Sequence, residues 1–420
     1  MIFITRDKDV QNPSVMLPAS KSISNRLLVL QHFYGRGLNI QNLSDSDDTI
    51  LMQTLLQTVR HYRDSGGKGM QRIDAHNAGT VFRFLSAILA VTPGQYLLTG
   101  SERMMERPVG ALADALNDMG ADVSFTEKVG FPPLFIKGRK LNGGSIRIDP
   151  SLSSQFFSAL ALIAPALDDG LELNLTGPVT SRPYADMTLM ILQALGIKVF
   201  RDQDKVRIFP KDKIEATVTV EQDWSPSSFF YLLLSMVPYG EIYFPGLQRS
   251  VLQGDERVSS FFLPLGIETL EISGGIRICK TGTKQSLDIL DFSDFPDLAI
   301  PVILAYSIAG KEAGFKGIDR LRIKESDRLQ ALQREMGKLG LQLHQSSGEV
   351  WKTAGSLQIP GKIRVEDDGD HRIAMAFACL AALGCTVIID DPAVVSKSFP
   401  GFWNALDASG FRVQRGVENI

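Results

Sequence analysis

The chain has 420 residues, of which 44% are hydrophobic and 22% are charged, and its formal net charge is −3. This length exceeds what one hydrophobic core usually serves, so we expect two domains. The slight negative charge gives no general attraction for nucleic acid or for an anionic membrane. The longest apolar stretch, around Leu298 to Ala309, is shorter than the roughly 20 residues that span a bilayer.

Cysteine usage and the N-terminus both favour the cytoplasm. The three cysteines, Cys279, Cys379 and Cys385, cannot all be paired and have no metal-ligand spacing, which is typical of a reducing compartment. The N-terminal segment MIFITRDKDV lacks the basic and apolar regions of a secretion signal. We therefore expect a cytoplasmic protein.

Six segments along the chain share one pattern, in which small, polar or charged residues precede about ten mostly apolar residues at helical spacing. Their markers are 57, 74, 72, 72 and 74 residues apart. A period of this length indicates a repeated supersecondary unit. With the β-rich stretches in between, each unit is predicted to be strand–helix–strand–helix–strands, and six units divide into two domains of three. Coincidence among buried helices is the alternative explanation. The markers are Ser22, Gly79, Ser153, Ser225, Asp297 and His371.

The starts of these six helices are predicted anion sites. The helices are apolar on most faces and should therefore lie in the core. They begin with Ser, Asn, Asp or Gly, residue types that cap the unpaired N–H groups of a first turn. Free N–H groups and the helix dipole both favour negative charge. Several such starts facing one cleft would bind small, multiply anionic substrates.

The first start, LPASKSISNR, places Lys21 and Ser22 close to Arg26. Arg26 follows Ser22 by four residues and so lies on the same helix face. Lysine supplies a compact charge, whereas arginine supplies a fork that matches a carboxylate or a phosphate. A solvated basic turn is the alternative, although Pro18 and an apolar helix flank the pair.

The next starts are rich in small and hydroxyl residues. NAGT at 77–80 is a turn that enters a helix, with Arg83 one turn further in, and Gly79 lets the backbone approach a ligand closely. A structural turn explains this motif equally well. SSQ at 153–155 and SRPY at 181–184 add hydroxyl groups at two further starts, where ordinary serine caps are the alternative.

The segment KESDR at 324–328 places Lys324 and Arg328 four residues apart, so we expect them on one helix face beside Glu325. Charge pairing on a solvated helix face would explain the same spacing. Asp297 in FPDLA stands at the head of a very apolar helix. It is either the N-cap of that helix or a catalytic base.

Two late motifs, DHR at 370–372 and SKSFPG at 396–401, each put a cation at the edge of an apolar element. Together with the earlier motifs they resemble the 5-enolpyruvylshikimate-3-phosphate synthase (EPSP synthase) family in order and spacing. The match covers nearly the whole chain, and the joint occurrence of its motifs is specific. The matching motifs are LPxSKSxSNR, DSDDT, NAGTxxR, ERP, SSQF, SxPY, the helix at Asp297, KESDRL, DHRxAM and SKxFP.

The resemblance implies a transferase that moves the enolpyruvyl group of phosphoenolpyruvate to the 5-hydroxyl of shikimate 3-phosphate and releases phosphate. This step serves chorismate and aromatic amino acid biosynthesis. The implied fold is α/β, with two similar globular domains, each of three βαβαββ units around buried helices (an inside-out barrel), and an active site in the interdomain cleft. One domain would comprise residues 18–222, and the other would comprise 1–17 plus 223–420. No metal or organic cofactor is implied, the partners are the two small substrates, and the protein would act as a monomer.

Position by position, the resemblance implies a role for individual residues. Ser22 and Arg26 would bind the carboxylate of shikimate 3-phosphate. The serines at 153, 154 and 181 would bind its phosphate. The shikimate 3-phosphate contacts would be Lys21, Ser22, Arg26, Ser153, Ser154, Gln155, Ser181, Tyr184, Asp297, Arg320 and Lys324. The phosphoenolpyruvate contacts would be Lys21, Asn77, Gly79, Arg107, Gln155, Arg328, His371, Arg372 and Lys397. Of these, Arg328, Arg372 and Lys397 would bind its carboxylate. The catalytic groups would be Asp297, Glu325, Lys21 and Lys324, and the sequence does not assign the two carboxylates to particular proton transfers.

Some positions depart from the family pattern. Arg320 stands where members often have Asn, Phe84 replaces the proline that commonly follows NAGTxxR, and Ala19 replaces a common glycine. The herbicide glyphosate inhibits many members by occupying the phosphoenolpyruvate pocket, and Phe84 could reduce that sensitivity by shifting Gly79. The first marker spacing is about 15 residues shorter than the others, so we expect one unit to have lost part of its β-hairpin.

Two other interpretations stay open at this point. One is an enolpyruvyl transferase that acts on a UDP-sugar and shares the fold. Such enzymes normally carry a reactive cysteine near the segment SERMMERP, whereas the first cysteine here is Cys279. The other is a non-catalytic anion-binding protein on the same fold, but none of the expected carboxylates or cations is missing.

Overall fold

The structure, a computed structural model, describes residues 1–7, 12–282 and 288–416. Helices and strands are interspersed along the described chain. The helices are α1 (Lys21–Tyr34), α2 (Asp47–Asp64), α3 (Gly79–Val91), α4 (Glu102–Met105), α5 (Gly110–Asp118), α6 (Ser154–Ile163), α7 (Arg182–Ala194), α8 (Trp224–Ser235), α9 (Val258–Phe262), α10 (Ala299–Ile308), α11 (Arg328–Gly337), α12 (His371–Ala378) and α13 (Phe402–Ala408).

The strands are short and lie between these helices. They are β1 (Ile2–Arg6), β2 (Leu38–Gln41), β3 (Met70–Asp74), β4 (Gly94–Thr99), β5 (Asp122–Phe125), β6 (Leu134–Gly138), β7 (Gly144–Ile148), β8 (Leu171–Leu175), β9 (Val199–Asp202), β10 (Lys205–Ile208), β11 (Ala216–Thr219), β12 (Glu241–Pro245), β13 (Ile267–Ile272), β14 (Gly275–Lys280), β15 (Ile289–Asp291), β16 (Gly314–Lys316), β17 (Leu341–Ser347), β18 (Val350–Gly355), β19 (Lys362–Val365), β20 (Thr386–Ile389) and β21 (Phe411–Arg415).

The chain forms two compact units. Unit A comprises Lys21–Val220, and unit B comprises Met1–Ser20 together with Glu221–Ile420. The boundaries predicted from the sequence lie after residues 17 and 222. Because unit B contains both ends of the chain, one of its sheets pairs the N-terminal strand β1 with β20 and β21.

Four sheets repeat one arrangement of strands. In unit A the orders are β3-β4-β6-β5 and β7-β8-β10-β9, and in unit B they are β15-β16-β18-β17 and β19-β20-β1-β21. In each, the first two strands run parallel and the last two pairings are antiparallel. A fifth sheet, β12-β14-β13, has the antiparallel pairings of this arrangement. In place of a first strand it has a single parallel bridge, between Ser14 and Tyr243 of β12. These five sheets are the β-sheet part of the repeated unit that the sequence predicts.

The sixth sheet consists of β2 and β11 alone, which pair in parallel. Only residues 65–69 separate α2 from β3, so this unit has no room for a hairpin. The short first spacing predicted that part of a hairpin was lost, and that prediction is confirmed. The loss is larger than expected, because both strands of the hairpin are absent between these two elements.

The six predicted apolar helices are α1, α3, α6, α8, α10 and α12, and each marker residue lies within two positions of a helix start. Most of their residues are buried, including all eight residues of α12. A helix that is apolar on every face gains most from burial on every face, which explains why these helices form the cores. In the described residues, no helix combines the length and apolar character needed to cross a membrane.

Candidate active site

The start of α1 carries the first predicted ligands, Lys21 and Ser22. The Lys21 ammonium lies 3.0 Å from Oδ2 of Asp48, and both side chains are largely buried. Asp48 belongs to the first turn of α2, where the helix dipole stabilises a carboxylate. Asp48 is not among the residues predicted from the sequence. The signal was present in the two consecutive aspartates, Asp47 and Asp48, at the head of a helix.

Arg26 lies one turn into α1 and is buried. Its Nε donates to the Thr188 hydroxyl at 2.7 Å, and Nη1 donates to the Ser22 carbonyl at 2.8 Å. Its Nη2 donates to the Tyr184 carbonyl at 2.8 Å and to the Ser158 hydroxyl at 3.3 Å. Burial lowers the pKa of Arg26 to about 10, so the guanidinium is charged at neutral pH. One N–H of Nη1 has no acceptor among the described residues.

Two arginines flank Gly79, the first residue of α3. Arg83 donates from Nη1 to the Gly79 carbonyl and to Oε1 of Gln155, both at 3.1 Å. Arg107 donates from Nη1 to the Asn77 carbonyl at 3.4 Å, and both arginines are almost fully buried. The structure thus brings together four predicted phosphoenolpyruvate ligands. It adds Arg83, which the sequence analysis names only as part of a motif.

The hydroxyl groups predicted to bind phosphate lie at the starts of α6 and α7. Ser153 is the N-cap of α6, and its hydroxyl accepts the N–H of Gln155 at 3.2 Å. Ser154 follows as the first helical residue. Ser181, at the N-cap of α7, has a left-handed backbone with φ 50° and makes no capping hydrogen bond with its side chain. A non-glycine residue in this conformation is strained, which is frequent at functional sites. The capping interpretation therefore holds for Ser153 and is wrong for Ser181.

Asp297, just before α10, lies between two arginines. Its Oδ2 is 2.8 Å from Nη2 of Arg372, and its Oδ1 is 3.3 Å from Nη1 of Arg328. Burial would raise the pKa of Asp297, and Glu325 adds to this effect. The positive charges of Arg372, Lys324 and Arg328 outweigh both and hold the pKa at about 2. Asp297 is therefore ionised at neutral pH, so it can accept a proton and has none to donate.

Arg328 is the centre of the charged cluster in unit B. Its guanidinium contacts three carboxylates, with Nη2 at 2.7 Å from Glu325, Nε at 2.7 Å from Asp370 and Nη1 at 3.3 Å from Asp297. Burial alone would lower the pKa of Arg328, but these carboxylates reverse the effect and raise it. The arginine side chain is only 2% exposed. Such a buried cation depends on its partners, because an unpaired buried charge is strongly unfavourable.

Asp370 organises the start of α12, and it is the second site residue that the sequence analysis missed. Its Oδ1 caps the helix by accepting the Arg372 N–H at 3.0 Å. Its Oδ2 accepts hydrogen bonds from Nε of Arg328 at 2.7 Å and from the Ser326 hydroxyl at 3.1 Å. Arg372 also donates to the Ser225 hydroxyl at 3.0 Å. One buried carboxylate thus binds the side chain of Arg328 and the backbone N–H of Arg372, the two arginines that flank Asp297.

In unit B one local prediction is wrong, and one of the two alternatives for Asp297 is excluded. Lys324 and Arg328 do not share a helix face, because α11 begins only at Arg328. The Asp327 side chain caps α11 by accepting the N–H of Gln330, so the residues before it lie outside the helix. Asp297 is not the N-cap of α10, since Leu298 occupies that position. The carboxylate of Asp297 pairs with arginines instead.

The other predicted residues have clear positions. Lys324 ends the short helical turn at 319–323 and lies near Asp297, His371 is buried at the start of α12, and Lys397 ends the turn at 392–397. The charges that act on Arg320 are those of Asp294, Asp291 and Glu349, none of which is a predicted site residue.

Each unit therefore contributes a set of buried cations with carboxylates among them. Such a set can bind phosphate and carboxylate groups, and the unit B set also holds carboxylates that can exchange protons. Among the described residues, no group of three or more His, Cys, Asp or Glu side chains is arranged to hold a metal ion.

Comparison with known proteins identifies similar chains over almost the full length. The family model of EPSP synthase (3-phosphoshikimate 1-carboxyvinyltransferase) matches residues 6–406. A 3-phosphoshikimate 1-carboxyvinyltransferase of Bacteroides fragilis (strain YCH46) is 40% identical over 415 residues, which are 96% of this chain and 97% of the relative. A protein of the same name from Aliivibrio fischeri (strain ATCC 700601 / ES114) is 33% identical over 415 residues, covering 94% of this chain and 96% of the relative.

The fold also resembles a solved structure, that of an EPSP synthase from Acinetobacter baumannii. The TM-score is 0.71 at 22% sequence identity, and the match covers 99% of this chain and 100% of the other. At this identity the likeness concerns the fold alone. Together with the repeated sheets and buried helices it confirms the predicted α/β fold class.

Proposed function

The chain belongs to the EPSP synthase family, and from this premise we propose how its charged residues carry out the reaction. The protein is a transferase that moves the enolpyruvyl group of phosphoenolpyruvate to the 5-hydroxyl of shikimate 3-phosphate and releases phosphate. One observation carries the proposed mechanism. Asp297 is held ionised between Arg328 and Arg372, beside Glu325 and Lys324.

Each substrate carries one phosphate and one carboxylate, so the pair needs four anion-binding subsites. We assign the shikimate carboxylate to Ser22 and Arg26 and its phosphate to Ser153, Ser154 and Ser181, with Tyr184 beside it. The phosphoenolpyruvate phosphate is assigned to Lys21, Arg107, Gln155 and the backbone at Gly79, with Arg83 as support and Asn77 nearby. Its carboxylate is assigned to Arg328, Arg372 and Lys397, with His371 nearby. In this assignment unit A holds three of the four subsites, and unit B holds the subsite for the phosphoenolpyruvate carboxylate.

The first chemical step is an addition. The 5-hydroxyl oxygen of shikimate 3-phosphate bonds to C2 of phosphoenolpyruvate, and its proton passes to Asp297. The methylene carbon C3 gains a proton, and we assign Glu325, the other carboxylate of this cluster, as its donor. Glu325 pairs with Arg328 in the free protein and must first take up this proton from solvent, which the negative charge of the bound substrates favours. The product is a tetrahedral intermediate in which C2 carries both the new ether oxygen and the phosphate oxygen. Lys324 stands beside the ionised hydroxyl group and stabilises its charge.

The second step is an elimination. The bond between C2 and the phosphate oxygen breaks, and phosphate leaves with this electron pair. The departing phosphate takes up the proton that Asp297 received in the first step, which returns Asp297 to its ionised form. The methyl carbon returns one proton to Glu325, and the double bond of the enolpyruvyl ether forms. Lys21 is assigned to stabilise the departing phosphate. Its ion pair with Asp48 holds it close to the start of α1 until the substrate offers a stronger anion.

Substrate binding should make Asp297 a stronger base. In the free protein Arg328 and Arg372 hold its pKa at about 2, against the opposing effect of burial. A substrate carboxylate that engages both arginines shares their positive charge with Asp297. The pKa of Asp297 then rises, because burial is the largest single influence on it and favours the neutral form. The base is thus strengthened only when phosphoenolpyruvate is in place.

The proposal is tested by turnover. Purified protein is incubated with shikimate 3-phosphate and phosphoenolpyruvate, and the enolpyruvyl ether and inorganic phosphate are quantified in parallel. We expect the two products in equal amounts, and no enolpyruvyl ether when a UDP-sugar replaces shikimate 3-phosphate. Turnover of the UDP-sugar alone would favour the related transferase, and binding of both substrates without turnover would favour a non-catalytic protein.

We also propose that the protein acts as a monomer, needs no metal or organic cofactor, and resides in the cytoplasm. Sedimentation velocity with and without substrates tests the first. Turnover after exhaustive dialysis against a chelator tests the second.

Gly79→Ala is expected to weaken inhibition by glyphosate about tenfold or more, while the KM for phosphoenolpyruvate rises less. The added methyl carbon would lie 2.5 Å from Nη1 of Arg83 and 2.6 Å from Nη2 of Arg107. Both guanidiniums must then move, and the pocket becomes shorter. The longer inhibitor should suffer more from this than the substrate. Inhibition constants at fixed shikimate 3-phosphate provide the measurement.

A matched control is Gly337→Ala, because a methyl group there meets no atom within 4 Å. This variant should leave both constants at the wild-type values. An equal loss of affinity for inhibitor and substrate in Gly79→Ala would show that Gly79 does not set the length of the pocket.

A further inference from the structure

Phe84 replaces the proline that commonly follows the NAGTxxR motif, and its aromatic ring lies against Arg26. The Cζ atom of Arg26 is 5.7 Å from the ring centroid, in cation–π geometry. Phe84 is 1% exposed and belongs to α3, whereas Arg26 belongs to α1. The departure from the family pattern therefore adds a contact to one of the proposed substrate ligands.

The other contacts of Arg26 come from three different helices. Ser22 on α1, Ser158 on α6, and both Thr188 and Tyr184 on α7 accept its hydrogen bonds. Four of the five guanidinium N–H groups are used in this way. These bonds act at the edge of the planar guanidinium and leave its faces to other neighbours. The Phe84 ring stands over the guanidinium carbon and so brings in α3 as the fourth helix.

The position of the remaining N–H depends on the whole set of contacts. Arg26 is buried, and its positive charge is poorly solvated in the core. If neighbouring groups did not compensate that charge fully, the side chain would rotate or shift toward solvent. The electron-rich face of an aromatic ring attracts a cation, and more strongly in a desolvated environment. Proline at residue 84 would offer no such face.

We propose that Phe84 is a positioning residue for substrate binding, which orients Arg26 so that its remaining N–H meets the carboxylate of shikimate 3-phosphate. This inference rests on the proposed function, since it takes the carboxylate subsite as given. It goes further by assigning specificity for that carboxylate to the ring of Phe84.

The competing explanation is that Phe84 only fills the core. Phe84→Leu separates the two, because leucine keeps an apolar side chain and removes the aromatic face. The readout is the preference for the acid over its methyl ester, measured as the ratio of the dissociation constants of shikimate 3-phosphate and its carboxylate ester. General damage to the core changes both constants together and leaves the ratio unchanged. Loss of orientation at Arg26 changes the constant for the acid alone.

Calorimetric titration of wild type and Phe84→Leu with both ligands is the experiment. We expect the acid to bind about 3- to 30-fold more weakly to Phe84→Leu, the ester to bind as it does to wild type, and kcat to change less than KM. A parallel loss for acid and ester, or no loss at all, would overturn the inference. Wild type that binds neither ligand would instead overturn the proposed function, so the two failures are distinguishable.

Two further variants keep the test decisive if Phe84→Leu folds poorly. Phe84→Met also removes the aromatic face and should reduce the preference for the acid, whereas Phe84→Tyr keeps the face and should retain it. Phe156→Leu is a matched control, because Phe156 is a buried phenylalanine that lies 5.5 Å from Cζ of Arg83 in the same kind of contact. In Phe156→Leu the ratio of the dissociation constants for acid and ester should equal that of wild type. A reduced ratio in Phe156→Leu would show that the effect is not specific to Arg26.

Discussion

Asp297→Asn is expected to lower kcat by roughly 10²-fold or more while substrate binding stays largely intact, as is usual for a general base. Asparagine keeps the shape and one accepting oxygen, so it retains a hydrogen bond to only one of Arg328 and Arg372, and it cannot take the hydroxyl proton. Removing the negative charge also leaves both arginines available to phosphoenolpyruvate, so its affinity should not fall. Glu325→Gln should cause a loss of similar size, since it removes the group assigned to the methylene carbon. Steady-state kinetics and calorimetric binding measure the two effects separately.

Asp327→Asn is the matched control for these variants. Asp327 lies two residues from Glu325, and its side chain caps α11 by accepting the Gln330 N–H at 3.0 Å. Asparagine is an equally good cap, so kcat should stay within about twofold of wild type. Full activity in Asp297→Asn or in Glu325→Gln would remove that carboxylate from the mechanism. Weaker binding without a loss of kcat would make it a binding residue instead.

Arg328→Gln is expected to destabilise the protein by about 3–5 kcal/mol, in addition to weakening phosphoenolpyruvate binding. The substitution leaves Asp370, Glu325 and Asp297 without their shared cation, and Asp370 is fully buried. Buried carboxylates without a partner must take up protons or carry a large desolvation cost. The free energy of unfolding in urea at neutral pH provides the measurement.

The control for this prediction is Arg364→Gln in the same unit. Arg364 also pairs with an aspartate, at 2.7 Å from Asp390, but both side chains are about half exposed. An exposed pair of this kind contributes about 0–1 kcal/mol, because water screens the charges. If the two variants lost similar stability, burial of the cluster would not be what makes Arg328 essential.

The helix starts were predictable from the sequence because the signals are local. A capping residue and the apolar run that follows it lie within a few positions of each other, as for Ser153 before α6 and Asp370 before α12. The same reasoning failed at KESDR, because Asp327 is the N-cap of α11 and the helix therefore begins after Lys324. A spacing of four residues indicates a shared helix face only when the helix includes both residues.

The partners of the charged residues could not be predicted, because they depend on contacts between distant segments. Lys21 meets Asp48 across 27 residues, and Arg328 meets Asp370 across 42. The same holds for β1, which inserts between β20 and β21 from the opposite end of the chain. Motif resemblance assigned the cations to substrates and named Asp297 and Glu325, but it did not indicate their pairing with Arg328. Asp48 and Asp370 lie within matching motifs, yet their roles as partners of Lys21 and Arg328 emerged only from the structure.

The central claim is that this cation-rich site transfers a carbon group and leaves the phosphoryl group intact. Phosphoenolpyruvate labelled with ¹⁸O in the oxygen between C2 and phosphorus tests it directly. Addition and elimination break the bond from C2 to that oxygen, so mass spectrometry should find the label in the released phosphate and none in the shikimate product. A label that remains on the carbon fragment would mean that the bond to phosphorus breaks instead, and would contradict the proposed mechanism.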